Sequence, residues 1–225
     1  MSDPITFIHV TMAYSNALLA AVLPHVSDCA KNLDLPLPQP ITTNQVAEFR
    51  VMPVKDVVGG GIWLTNHYVF SFEYGHVCGF VTTNDWFTEQ EIVGLERYRG
   101  QDNMTTNQAI EMARNGFAKL GYKIKDYNLD KPPTSMEGPI DSKVVGHVPF
   151  CKIRWENPRT IFANSSIIEF DIDMQKKQFV GMSLIGRKFW RPNPVIGIVP
   201  MSESDYQNMQ TNHLFLQSNA PPAPQ

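Results

Sequence analysis

Two stretches of the chain repeat apolar residues every three or four positions, and several shorter ones alternate apolar with polar. Leu18, Val22, Val26, Cys29 and Leu33 form the first helical face, within residues 15–34. Pro24 falls inside this pattern and predicts a kink or a helix start, because its ring removes an amide donor and crowds the preceding turn. In the second stretch Ala109, Ala113, Phe117 and Leu120 make one stripe, with Ile110 beside it. Thr105 and Gln108 fit a capping box ahead of that stripe. Gly121 stands just past its end, where left-handed backbone is needed, and Tyr122 can close back onto the helix.

The alternating runs predict strands. Residues 62–65, 68–72 and 76–82 are separated by Asn66-His67 and Tyr74-Gly75, which read as hairpin turns. Later, 150–156 puts Cys151, Ile153 and Trp155 on one side and Lys152, Arg154 and Glu156 on the other. In 165–173, Ile168, Phe170 and Ile172 point inward while Glu169, Asp171 and Asp173 point outward, and 178–185 follows after a turn. Cross-strand ion pairs on a solvated face account for the facing charges. Residues 126–146 are polar and proline-rich and read as a loop.

The tetrapeptide Thr-Thr-Asn-Gln occurs at residue 42 and again at residue 105. Thr42 and Gln45 fit a second capping box, and Val46 and Phe49 would then share the face of a short helix ending before Pro53. Each tetrapeptide is followed by three strands. The chain therefore predicts an α+β fold of two helix-plus-three-strand antiparallel modules preceded by an N-terminal helix. Its expected divisions are a helix and proline-rich linker at 1–40, a first module at 41–104, a second at 105–190, and an irregular tail at 191–225 with a short helix at 202–210 and a disordered end.

Composition narrows the functional classes. Of the 225 residues, 43% are hydrophobic, enough to fill a core. The net charge of −3, from 19 basic and 22 acidic residues, offers no basic excess to attract nucleic acid. No apolar run reaches the roughly 20 residues a membrane span needs. No Lys or Arg precedes Lys31, so no export signal is expected in the chain as given. That makes it cytoplasmic by default, or exported if a signal has been removed. Cys29, Cys78 and Cys151 are odd in number and dispersed, and read as small buried side chains with at most one disulfide.

The helix TTNQAIEMARNGFAKLGY and the hairpin IIEFDIDMQKKQFVGMSL are similar to those of a PepSY-type domain, a small helix-plus-antiparallel-sheet module. The resemblance covers 105–185. Asp173 matches the acidic strand end of the family's hairpins, while Lys177 stands where the family commonly has Gly. The resemblance implies a module that binds or inhibits peptidases, or an extracellular sensor-like module.

Motif chemistry is sparse. The sequence has no GxSxG elbow, HExxH, SxxK, P-loop or GxGxxG at a strand-to-helix turn. The densest polar-aromatic patch is His67, Glu73, Tyr74, His76, Asp85 and Trp86, a candidate binding site that could also hold a metal or do acid–base work. No cofactor and no tightly bound metal are expected, because the six histidines lie in separate elements and only His76 and Cys78 are close in sequence. The leading expectation is a non-enzymatic binding module for an unknown protein or small-molecule ligand. The alternatives are a small metal-dependent or hydrolase-like enzyme using the 67–86 patch, and a structural interaction domain.

Overall fold

The structure, a computed structural model, describes residues 12–54, 57–73, 76–82, 100–143, 146–157, 166–186 and 189. Among these residues the fold is α+β. Helix α1 (Met12–Asn32) leads to a meander of β1 (Val46–Val54), β2 (Val57–Leu64), β3 (Tyr68–Glu73) and β4 (His76–Thr82). Helix α2 (Thr106–Lys119) precedes three short strands, β5 (Ser135–Glu137), β6 (Ile140–Ser142) and β7 (Gly146–Val148). The long strands β8 (Phe150–Asn157), β9 (Ser166–Asp173) and β10 (Gln178–Ile185) follow. Eight strands make one antiparallel sheet in the order β1-β2-β3-β4-β10-β9-β8-β5, while β6 and β7 pair separately. Each half of the sheet runs from its edge inward, and the halves join where β4 pairs with β10. The two expected modules therefore share one sheet.

They also share one core. Leu18, Val22 and Val26 of α1, Ala113 and Phe117 of α2, and Phe70, Ile153, Phe170 and Ile172 of the sheet belong to a single buried cluster. The α1 face is the one its spacing predicts. The helix continues through Pro24, whose exposed position lets the carbonyl left without an amide partner, also on an exposed residue, turn toward water.

Helix α2 begins and ends as its sequence dictates. The Gln108 amide donates to Thr105 Oγ1 at 3.3 Å, and the Thr105 amide donates to Gln108 Oε1 at 2.8 Å. At the other end Gly121 takes φ +87°, its N–H donates to Ala118 O at 2.9 Å, and that of Tyr122 to Phe117 O at 3.4 Å. This is a Schellman motif, sealed by the Tyr122 ring stacked on Phe117 at 4.9 Å.

Four expectations are corrected. Residues 46–54 form a strand, not a helix. The Thr42–Gln45 hydrogen bond does form, with Thr42 N donating to Gln45 Oε1 at 2.7 Å, but it closes a single 3-10 turn. Beyond that turn Glu48 and Arg50 alternate with Phe49 and Val51, and the alternating pattern governs. Thr42 thus does not match Thr105, and the repeat of 42–82 with 105–185 fails as drawn. The loop expected at 126–146 contains a 3-10 turn (Ile124–Tyr127) and strands β5 to β7. Three-residue strands are too short to show alternation. Asp173, expected outside, is 1% exposed. Its Oδ1 accepts from the amides of Gln175 and Lys176 at 3.0 and 2.9 Å, so its burial holds the β9–β10 turn together. The outward charges on β8 and β9 do pair, Lys152 with Glu169 at 3.6 Å and Arg154 with Glu169 at 3.9 Å. The helix expected at 202–210 and the tail lie outside the described residues.

Phe117 is fully buried and sits in an aromatic cluster with Tyr122, Tyr127 and Phe189. Replacing it with Ala is expected to cost about 3–5 kcal/mol of stability. Urea unfolding followed by far-UV circular dichroism measures this as a lower midpoint at unchanged slope.

Candidate functional site

Strand β3 separates residues that the sequence suggested as one patch. His67 occupies the β2–β3 turn with φ 66° and is exposed. Glu73 and His76 face each other at the opposite end of the β3–β4 hairpin. Six residue steps at about 3.3 Å put His67 roughly 20 Å from Glu73. In a meander, successive turns fall at alternate ends of the sheet, so His67 cannot converge with Glu73 and His76. Tyr74, Asp85 and Trp86 lie outside the described residues. The His76 ring instead meets His25 of α1, with centroids 5.5 Å apart. Among the described residues no group of three or more His, Cys, Asp or Glu side chains converges on a point where a cation could sit.

The cysteines are no better placed for chemistry. Cys29, Cys78 and Cys151 are free thiols. Burial pushes Cys29 up to about 12 and Cys151 up to about 11. Cys78 is also pushed up to about 11 by burial, against the opposing effect of its hydrogen bond with Ser71. A thiol needs its thiolate form to act as a nucleophile.

What the fold does assemble is a groove of about 780 Å³ between α2, the end of α1 and the β9–β10 turn. Its floor is apolar, made by Leu33, Met112, Gly116 and Phe179. Gly116 brings α2 close to this floor, since a Cβ at this position would stand 2.7 Å from the Phe179 ring and 3.1 Å from Leu33. Asn107, Glu111 and Asn115, four residues apart on one face of α2, form one wall. Lys177 and Gln178 form the facing wall, with the Gln178 amide donating to the Tyr68 hydroxyl at 3.0 Å.

The charges around this groove are mostly compensated. Lys119 bonds Asp34 at 2.6 Å and Arg114 bonds Glu111 at 2.5 Å. Arg114 also donates to Leu129 O at 2.6 Å and Lys131 O at 3.0 Å, tying α2 to the segment that follows it. Lys177 makes no ion pair with any described residue. The sequence reading missed this groove because Asn107, Glu111 and Asn115 look like any solvated helix face. The available signal was Gly116 in the middle of an otherwise strong helix, which marks a close approach.

A second arrangement also escaped the sequence. His147, on β7, lies between two carboxylates: Nε2 is 3.0 Å from Asp102 and Nδ1 is 2.7 Å from Asp141. Both ring nitrogens can donate only in the imidazolium form. The hydrogen bond to Asp141, then that to Asp102, raises the His147 pKa above its ordinary 6.5. A folded-state pKa above the unfolded one gives stability that is fully present below pH 6.5 and lost as pH rises through the folded value. His147→Gln is therefore expected to be less stable than the parent in mildly acidic solution, with the gap closing as pH rises. Urea midpoints of the two proteins across that range measure it, and a gap that widens with pH contradicts the clamp.

Comparison of the chain with models of known families, with curated proteins and with solved structures finds no match.

Proposed function

We propose that this chain is a non-enzymatic binding module whose ligand lies in the groove beside α2. The observation that carries this reading is the combination of an apolar floor with a polar rim at about 780 Å³. Small-molecule sites span roughly 300–1,000 Å³ and are typically apolar, with a few polar groups that fix orientation. The lining contains no Ser, Thr, Cys or His, so it offers no hydroxyl or thiol nucleophile beside a base. The carboxylates at the rim are engaged with Lys119 and Arg114. The enzyme alternative loses support from the separation of His67 from Glu73 and His76.

Asn115 is exposed on α2 and lines the groove, so a bulky side chain there fills the space without disturbing the core. Nile red, a neutral apolar dye, is expected to bind with saturable fluorescence at one site per chain. Asn115→Trp is expected to abolish that signal at an unchanged urea midpoint. Absence of saturable binding to the parent protein, or binding untouched by Asn115→Trp, overturns the reading.

A further inference from the structure

We infer that the groove selects small apolar monocarboxylates, with the carboxylate at Lys177 and the hydrocarbon over the Phe179–Met112–Leu33 floor. This assignment rests on the groove being the binding site. It follows from the charge balance around the rim. Of the four charged side chains lining the groove, Asp34 and Lys119 neutralise each other and Glu111 is matched by Arg114. The remaining one is the Lys177 ammonium, which no described carboxylate meets. An apolar ligand bearing a single negative charge completes this balance. A neutral ligand leaves the cation unmatched, and a cationic one meets repulsion.

The Lys177 backbone has φ 56°, in the left-handed region that Asp34, His67 and Asn128 also adopt, so a residue suited to that region can replace it without disturbing the turn. Hydrogen-bonding capacity is also at hand. The Asn107 and Asn115 side-chain amides line the groove and can donate to a bound oxygen. The groove lies between packed elements and has the volume of a small-molecule site, which favours a free organic acid over a protein segment.

Displacement of Nile red tests the assignment with three probes of equal length at about pH 7, where an aliphatic acid is ionised. These are octanoate, octanamide and octylamine. Octanoate is expected to compete about five- to tenfold more tightly than octanamide, as a charge-assisted contact predicts, with octylamine weakest. Lys177→Asn removes the charge in a residue that suits the left-handed backbone. In that variant octanoate and octanamide are expected to converge to within about twofold, as also for the parent in about 1 M salt, where the Debye length is ~3 Å. Equal displacement by octanoate and octanamide from the parent overturns the carboxylate assignment while leaving the groove as the binding site. A preference for octanoate that survives Lys177→Asn overturns the role of Lys177. A tripeptide with an acetylated N-terminus and a free C-terminal leucine that competes more tightly than octanoate overturns the small-molecule class in favour of peptide ends. Failure of Nile red to bind overturns the groove itself.

Discussion

The pairing of β4 with β10 is the constraint on which the rest of the molecule depends. It is only three residue pairs long: Gly181 with Val81, Met182 with Phe80, and Ser183 with Gly79. A Cβ at residue 79 would stand 2.6 Å from the Met182 carbonyl oxygen and 2.9 Å from the Ser71 hydroxyl. The seam therefore closes only because Gly79 has no side chain. Once closed, it lays the apolar face of β2 to β4 edge to edge with that of β8 to β10, and α1 and α2 can cover both as one core. The groove is a by-product of that arrangement, since it forms where the end of α1 meets α2 and the β9–β10 turn.

The elements that could be read from the sequence are those whose instructions are local. The α2 capping box, the Gly121 terminus and the Phe117 stripe are written within a few residues of the bonds they make. The inward rows of β8 and β9 are written in strict alternation. What was misread is where two local signals compete. At Thr42 the capping residues are present and their hydrogen bond forms, but the Val46–Val51 alternation decides the backbone beyond Gln45. Asp173 follows the outward rhythm of β9, and the demand of the turn for an acceptor overrides it.

The candidate site was less legible because it depends on separation in space. His67, Glu73 and His76 lie within ten residues, yet hairpin geometry puts them at opposite ends of a strand. Leu33, Gly116 and Phe179 are far apart in the chain and meet at the groove floor. His147 meets Asp141 directly across the β6–β7 pair and Asp102 from the segment ahead of α2. These groupings are set by how the strands and helices come together, and nothing in the residue types alone announces them.

The seam also governs the order in which the molecule can assemble. The residues that meet across it are about a hundred positions apart in sequence, whereas the β2–β3–β4 and β8–β9–β10 hairpins close within a few residues or along short connections. Loop-closure entropy delays the distant contact until local structure exists on both sides. During synthesis β4 is therefore made long before its partner strand, and its edge stays open until β10 emerges. An unpaired edge is a template for wrong pairing. The residue that lets the seam close tightly, Gly79, is by the same token the one that leaves the waiting edge without a side chain to guard it.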